Sequence, residues 1–358
     1  MPEPLKNRYT KKLIADLASQ IKSNYKNFDS TNFQKNIFNK DWKNKELKDR
    51  MAHIAITLHD FLPSNFTKAI KILKPIAKNH SGFEYMFLPA YVEYFGTEDF
   101  KTSIKALEHF TPYSSSEFAV RPFIIKYKKK MMLQMESWAQ SKNYHVRRLA
   151  SEGCRPRLPW AMALPDFKKD PKAVLKIIKN LKNDPSEYVR RSVANNLNDI
   201  SKDHPGVLHD LAPKWLGKST QTDKLVKHAC RSLLKQGDPQ ILRLFGYAKT
   251  NHVKINSFKV QKSVKQGERL QFSFSLSTNK KELGMIRLEY AVYFMKSNGK
   301  QARKVFKISE AAISKPTKIV TKHHSFKYIS TRKYYTGKHD IAIIVNGKEF
   351  DRLEFKLI

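Results

Sequence analysis

The fold is decided by the stretch Val189-Arg-Arg-Ser-Val-Ala194, which repeats Val146-Arg-Arg-Leu-Ala150 at an offset of 43 residues. A third copy, Arg231-Ser-Leu, follows Arg191-Ser-Val at an offset of 40. Repeats of about 40–47 residues that are built from helix pairs are typical of HEAT-like arrays, which stack into a curved solenoid with a concave surface. Periodicity alone would also allow a plain helical bundle, but the repeated Val-Arg-Arg favours the solenoid.

The same helical periodicity extends through residues 1–250. In Leu47-Lys-Asp-Arg-Met-Ala-His-Ile-Ala-Ile-Thr-Leu58, apolar residues recur every three or four positions, as one buried helix face requires. Further helices are predicted at about 117–138, 145–152, 187–200 and 223–235, with short connections between them. We therefore predict a HEAT-like helical domain over residues 1–250.

After residue 250 the period changes to two. Leu270-Gln-Phe-Ser-Phe-Ser-Leu276 alternates strictly, and Asn346-Gly347 joins two further strands as a hairpin turn. Several such strands in about 105 residues favour a small all-β sandwich of immunoglobulin-like type over 251–358. His323-His324 is an isolated pair in this region and is predicted at the surface rather than in a metal site.

The charge balance indicates a polyanionic partner. The 358 residues carry 68 Lys and Arg against 32 Asp and Glu, a formal net charge of +36. The helical part contributes +21 and the β part +15, so both are predicted to face the same nucleic acid. An acidic membrane or protein, or a merely lysine-rich surface, is the alternative. Two cysteines and no long apolar run exclude a disulfide framework and a membrane span, and they favour the cytoplasm.

One connector is unlike a solvated face. After a helix that reaches Glu152, Gly153-Cys-Arg155-Pro-Arg157-Leu-Pro-Trp160 presents two arginines and a tryptophan between prolines. An ordinary helix–helix loop is shorter, so this one is a candidate functional segment. The alternative is that Trp160 is a core anchor and that Glu152 pairs with a nearby arginine.

Two more carboxylates are candidates. Glu117 follows Ser114 at the spacing of a helix capping box, which is its structural alternative. The 43-residue offset superposes Glu152 on Asn195, and Asp199 lies one helical turn further on the same face. Stacked repeats would therefore bring Glu152 and Asp199 together, although Asp199 could equally be a helix-terminal residue.

Carboxylates amid so much positive charge fit a substrate with a cationic centre. Cleavage of an N-glycosidic bond passes through an oxocarbenium-like sugar, which a carboxylate stabilises. An exposed indole such as that of Trp160 would attract a cationic base, and arginines would hold backbone phosphates.

Three segments resemble motifs of AlkC-type DNA alkylation repair proteins. They are Ser115-Ser-Glu117-Phe-Ala-Val-Arg121-Pro-Phe-Ile, Arg147-Arg-Leu-Ala-Ser-Glu152-Gly-Cys-Arg155-Pro-Arg157-Leu-Pro-Trp160 and Arg190-Arg191-Ser-Val-Ala-Asn-Asn-Leu-Asn-Asp199. The resemblance covers essentially residues 1–250, and residues 255–358 look like the immunoglobulin-like domain that some members carry.

This resemblance implies a monofunctional glycosylase that excises cationic bases such as 3-methyladenine and 3-methylcytosine in base excision repair. It implies that Glu152 and Asp199 act near the sugar, that Trp160 forms an aromatic wall and that Glu117 is a supporting acid. Phosphate contacts are implied for four arginines: Arg148, Arg155, Arg157 and Arg191.

From the resemblance we expect a monomer on double-stranded DNA that carries an alkylated base, with no metal, no cofactor and no membrane association. In a bacterium, the protein would associate with the nucleoid. Because a cationic base is already a good leaving group, we expect at most partial extrusion of that base from the duplex. The alternatives are a non-catalytic DNA- or RNA-binding HEAT scaffold and a protein-interaction solenoid, neither of which needs acids in its groove.

Overall fold

The computed structural model describes residues 3–247, 249–329 and 332–358. Within them the chain is helical up to Leu244 and all-β from Val253 onward. The helices α1 to α15 are, in order, Lys11–Asn24, Ser30–Ile37, Leu47–Phe61, Phe66–Lys78, Phe87–Phe95, Phe100–Phe110, Val120–Trp138, Tyr144–Gly153, Pro165–Lys169, Lys172–Leu181, Glu187–Ile200, Pro205–Trp215, Thr220–Ala229, Arg231–Gln236 and Pro239–Leu244. In the parts of the chain that the structure describes, no helix is long and apolar enough to cross a membrane.

The chain divides into two compact units. The first comprises residues up to Leu208 together with Lys214–Ala229, and the second comprises His209–Pro213 and Cys230–Ile358. The two short helices α14 and α15 therefore group with the strands. The division of function at residue 250 remains a prediction.

The first arginine of each Val-Arg-Arg copy makes the same contacts in both repeats. Arg147 Nη1 donates to the carbonyls of Ser141 and Lys142, at 2.9 and 3.0 Å. Arg190 Nη1 donates to the carbonyls at the equivalent positions 184 and 185, at 2.6 and 2.9 Å. The first arginine of each Val-Arg-Arg copy thus satisfies backbone acceptors in the turn before its own helix. Helix α8 packs on α11, so the first two copies of the repeat are also in contact. The third copy, Arg231-Ser-Leu, begins α14, because the helix predicted over 223–235 is divided at Cys230 into α13 and α14.

Among the residues of the second unit that the structure describes, eight strands form two sheets. The strands β1 to β8 are Val253–Val260, Ser263–Val264, Arg269–Thr278, Gly284–Met295, Gln301–Ile313, Thr317–Ser325, Gly337–Val345 and Lys348–Leu357. One sheet has the order β1-β3-β6 and the other has the order β2-β8-β7-β4-β5. All pairings are antiparallel except that of β2 with β8.

The predicted alternation and turn are both observed. Leu270, Phe272, Phe274 and Leu276 are buried in the core between the sheets, whereas the residues between them are more exposed. Asn346 and Gly347 both have positive φ, 46° and 80°, which is the backbone of the tight hairpin that joins β7 to β8.

Only one residue of the histidine pair lies at the surface, although both were predicted there. His323 is exposed, but His324 is 5% exposed, because successive strand residues point to opposite faces of the sheet. His324 Nδ1 lies 2.9 Å from the Tyr290 hydroxyl. Burial, with smaller contributions from the charges of Arg332 and Lys304, lowers the pKa of His324 to about 4.

This buried imidazole predicts acid sensitivity of the β unit. Because the folded pKa of His324 is depressed below the ordinary 6.5, the unfolded chain binds a proton that the folded chain excludes, and stability is lost as pH falls from about 6.5 towards 4. Between pH 7 and pH 5 we expect a loss of about 2 kcal/mol, measured by denaturant unfolding followed by circular dichroism. His324→Gln should remove this pH dependence, and His323→Gln, at the exposed neighbour, should retain it. An equal pH dependence in both variants would contradict the assignment.

Candidate active site

Arg155 joins the two carboxylates that the repeat spacing predicts to be neighbours. Its Nη1 lies 2.6 Å from Glu152 Oε1 and its Nε lies 2.8 Å from Asp199 Oδ2. Glu152 belongs to the last turn of α8 and Asp199 to the last turn of α11, so the packing of equivalent repeat helices brings them together. All three residues are at least 90% buried.

A second arginine extends the cluster to Glu117. Arg148, one turn before Glu152 on α8, binds the Glu117 carboxylate through Nη1 and lies 3.4 Å from Glu152 Oε1 through Nη2. Ser115 Oγ donates to the same Glu117 oxygen at 2.6 Å. The Glu117 side chain is therefore part of the cluster, and the capping-box interpretation based on Ser114 does not describe its contacts.

The remaining carboxylate oxygens also have defined partners. Ser192 Oγ donates to Glu152 Oε2 at 2.6 Å, and Lys202 Nζ lies 3.3 Å from Asp199 Oδ1. Each oxygen of both buried carboxylates thus accepts from a cation or a hydroxyl group, which fixes the orientation of both groups.

The arginines are stabilised in their charged form. Burial lowers the pKa of Arg155, but the charges and hydrogen bonds of Glu152 and Asp199 outweigh this effect, so the pKa is raised. The pKa of Arg148 is raised in the same way, with burial opposed by Glu117 and Glu152. The cluster is therefore a series of alternating charges on largely buried side chains, which ion pairs hold in place.

Arg121 hydrogen-bonds to the backbone around the connector, although it was not predicted from the sequence as a site residue. This side chain is fully buried, and it donates to the carbonyls of Gly153 and Arg155, both at 2.9 Å, and of Met162 at 2.7 Å. Burial lowers its pKa to about 10. A signal did exist: one charge within the apolar run Phe118-Ala-Val-Arg-Pro-Phe-Ile-Ile is typical of a buried structural cation.

Trp160 is not a core anchor. Its residue is 62% exposed, and its ring makes an edge contact with Phe83, with 6.5 Å between ring centroids. Its φ is +64°, a left-handed conformation that costs a residue with a Cβ about 1–2 kcal/mol. A large indole held at the surface in strained backbone is characteristic of a functional position.

Phe83 connects this indole to a cavity that the charged cluster borders. Together with Glu117, Arg148 and Tyr188, Phe83 lines an open cavity of about 350 Å³. The Arg148 guanidinium also lies over the Tyr188 ring, 4.9 Å from its centroid. The cavity is large enough for part of a nucleotide, and its walls are aromatic and charged.

The other two predicted arginines lie outside the cluster. Arg157 Nη2 pairs with Asp203 at 2.6 Å, and its side chain is 37% exposed. Arg191 is exposed on α11 and lines a separate cavity with Arg190 and Lys224.

Neither a reactive thiol nor a metal centre is evident at this site. Burial raises the pKa of the Cys154 thiol to about 12, so this thiol is protonated at neutral pH. Among the residues with described positions, no group of three or more His, Cys, Asp and Glu side chains could hold a metal ion.

Comparison with known proteins identifies the family. Residues 101–232 match the model described as DNA alkylation repair enzyme, and residues 254–358 match the C-terminal Ig-like domain of the uncharacterised protein YhaZ. The solved structure of Pseudomonas fluorescens alkylpurine DNA glycosylase AlkC, bound to DNA containing an abasic site analog, is 36% identical with a TM-score of 0.94. It covers 99% of this chain and 100% of its own. The chain belongs to the AlkC-type family of DNA alkylation repair enzymes.

The AlkC-type assignment holds for both parts of the chain. The Uncharacterized protein YhaZ of Bacillus subtilis (strain 168) is 44% identical over 355 residues, which are 99% of each chain. The similarity to AlkC likewise spans the helical array and the Ig-like domain. The predicted family and the predicted fold, a HEAT-like helical region followed by an all-β Ig-like domain, are therefore confirmed.

Proposed function

We propose that this protein is a monofunctional DNA glycosylase of base excision repair that hydrolyses the N-glycosidic bond of 3-methyladenine and 3-methylcytosine in double-stranded DNA. The observation that carries this proposal is the pair of buried carboxylates, Glu152 and Asp199, fixed on either side of Arg155 in a chain of net charge +36. The similarity to an alkylpurine DNA glycosylase over the whole chain supports the same class.

The chemistry needs anionic groups near the sugar. As the bond breaks, its electron pair leaves with the cationic base and neutralises it, and positive charge develops on the deoxyribose. Glu152 and Asp199 stabilise that charge, and one of them accepts the proton of the water that attacks C1′. No covalent bond to the protein is needed, so the product strand keeps its backbone.

The arginines divide into two groups by their contacts. Arg148 and Arg155 already bind two carboxylates each, so we assign them the orientation of those carboxylates as their main role. Arg157 and Arg191 are more exposed, and phosphate contact remains the prediction for them.

Trp160 and Glu117 act at the open side of the cluster. The exposed indole offers its face to a cationic base, and Glu117 supports the site by holding Arg148. Because the cavity beside them is open and the leaving group is already activated, partial extrusion of the base is sufficient. We infer that the protein works as a monomer on chromosomal DNA in the cytoplasm, without a cofactor.

The charge of the base provides the direct test. Duplexes that contain a single 3-methyladenine, 3-methylcytosine or 7-methylguanine are compared with the neutral isostere 3-deaza-3-methyladenine, and free base is measured by liquid chromatography. We expect release of 3-methyladenine and 3-methylcytosine and retention of the neutral isostere. Binding without release from any duplex would favour the non-catalytic scaffold, and equal release of the isostere would contradict the mechanism.

A further inference from the structure

The Trp160 backbone is held by a lysine from a distant helix. Lys48, in the first turn of α3, donates from Nζ to the Trp160 carbonyl oxygen at 2.7 Å, across 112 residues of sequence. This is the carbonyl of the residue whose φ is +64°. A strained backbone conformation persists only where neighbouring contacts determine it, and the Lys48 bond is such a contact.

The Lys48 residue is exposed, but its ammonium group has neighbours besides Trp160. Its Nζ lies 5.5 Å from the centroid of the Phe118 ring, in the segment that leads into α7. Lys48 also lines a small cavity of about 150 Å³ with Glu93, Ser115 and Met162. The charge of Lys48 opposes the rise that burial causes in the pKa of Glu93, so the two groups interact. Lys48 therefore links α3, α5 and the segment before α7 to the connector.

Two basic side chains, Arg121 and Lys48, donate hydrogen bonds to the backbone around Trp160. The buried Arg121 fixes the backbone on both sides of Trp160, through Gly153, Arg155 and Met162. None of these acceptors is the carbonyl of Trp160 itself, and the Phe83 edge contact alone leaves most of the indole exposed.

We propose that Lys48 is a positioning residue, which sets the direction of the Trp160 indole by holding its carbonyl. The proposal rests on the proposed function in one respect, that the indole faces the lesion. Without the ammonium group, the Trp160 carbonyl loses this donor, and the peptide after Trp160 keeps the longer bond from the Ala161 N–H to the Leu158 carbonyl, 3.3 Å. We expect the Trp160 backbone to reorient within that turn. The ring then points elsewhere, while the carboxylates of the cluster keep their own contacts.

The test compares Lys48→Met, which keeps the stem and removes the donor, with Lys48→Arg, which restores a donor. Lys71→Met, at an exposed lysine on α4, is the matched control for the loss of one charge. For Lys48→Met we expect a single-turnover rate constant of base release that is about tenfold lower, since small misplacements near reacting groups have effects of this order or larger. Affinity for undamaged duplex should match that of Lys71→Met, and Lys48→Arg should recover most of the rate.

Fluorescence provides a readout that is independent of catalysis. The chain has four tryptophans, and Trp42, Trp138 and Trp215 are each at most 8% exposed, so Trp160 dominates quenching by acrylamide. The Trp160 signal is isolated by subtracting the matching Trp160→Phe variant. We expect its emission maximum and quenching constant to change in Lys48→Met but not in Lys71→Met.

Base release and Trp160 fluorescence together distinguish a failure of the Lys48 positioning role from a failure of the proposed glycosylase function. Unchanged Trp160 emission and quenching in Lys48→Met would overturn the positioning role, whatever the enzyme excises. Altered fluorescence with a wild-type rate of base release would also overturn it. A wild-type protein that releases no base contradicts the proposed function, and the fluorescence of Lys48→Met then still decides whether Lys48 sets the indole.

Discussion

Glu152→Gln and Asp199→Asn are each expected to lower the single-turnover rate constant of base release by about 100-fold or more, while duplex affinity changes little. Each substitution retains the size of the side chain and removes the negative charge that stabilises the developing sugar cation. Both carboxylates are negatively charged and largely buried, so neither offers a favourable contact to an anionic phosphate. The loss should therefore fall on the chemical step and not on binding.

Two further variants locate the effect. Glu136→Gln removes one carboxylate from α7, where Glu136 lies 3.9 Å from Lys176 and outside the cluster, and it should release base at the wild-type rate. Glu117→Gln should have an intermediate effect, because Glu117 acts through Arg148. Wild-type rates in both Glu152→Gln and Asp199→Asn would contradict the assigned roles. A similar loss in Glu136→Gln would indicate an unspecific effect of charge.

Arg155→Met is expected to destabilise the helical unit by about 3–5 kcal/mol, because it leaves two buried carboxylates without their shared cation. Arg157→Met is the matched control two residues away. Its ion pair with Asp203 is partly exposed, so its loss should cost at most about 1 kcal/mol. Urea unfolding followed by tryptophan fluorescence measures both variants, since all four tryptophans lie in the first unit.

A combined variant tests the cause of that loss. Adding Glu152→Gln and Asp199→Asn to Arg155→Met removes the unpaired charges and should recover part of the lost stability. Equal destabilisation by Arg155→Met and Arg157→Met, or no recovery in the triple variant, would contradict the account of the cluster as mutually compensating buried charge.

The repeat explains what could be predicted of the site. The 43-residue offset places Glu152 and Asp199 one turn apart on equivalent helices, and such helices pack together in the structure. Strand alternation likewise requires that one histidine of the pair His323-His324 point inward, although the inward residue could not be chosen without the position of the core.

Contacts between segments that are far apart in the chain could not be predicted from the sequence. Nothing in the local pattern indicates that Lys48 reaches Trp160, or that Arg121 binds the carbonyls of Gly153, Arg155 and Met162. The left-handed backbone of Trp160 was also not predicted, since tryptophan has no preference for it. Trp160 follows Pro159 in a turn that the Ala161 N–H closes on the Leu158 carbonyl, and the carbonyl of Trp160 also accepts from Lys48. Helix α7 shows the same limit: the periodicity predicts a continuous helix over 117–138, but the helix starts at Val120 and is kinked at Lys128, where φ is 35°.

The most direct measurement follows both products of one duplex that carries a single 3-methyladenine. We predict that the wild-type protein releases the free base and leaves a strand that stays intact until alkali cleaves it at the abasic site. When Glu152→Gln and Asp199→Asn are combined, both the release of base and the formation of alkali-labile sites should be much slower. Release of no free base by the wild-type protein, or release at the wild-type rate by the double variant, would contradict the claim that this carboxylate cluster hydrolyses the N-glycosidic bond.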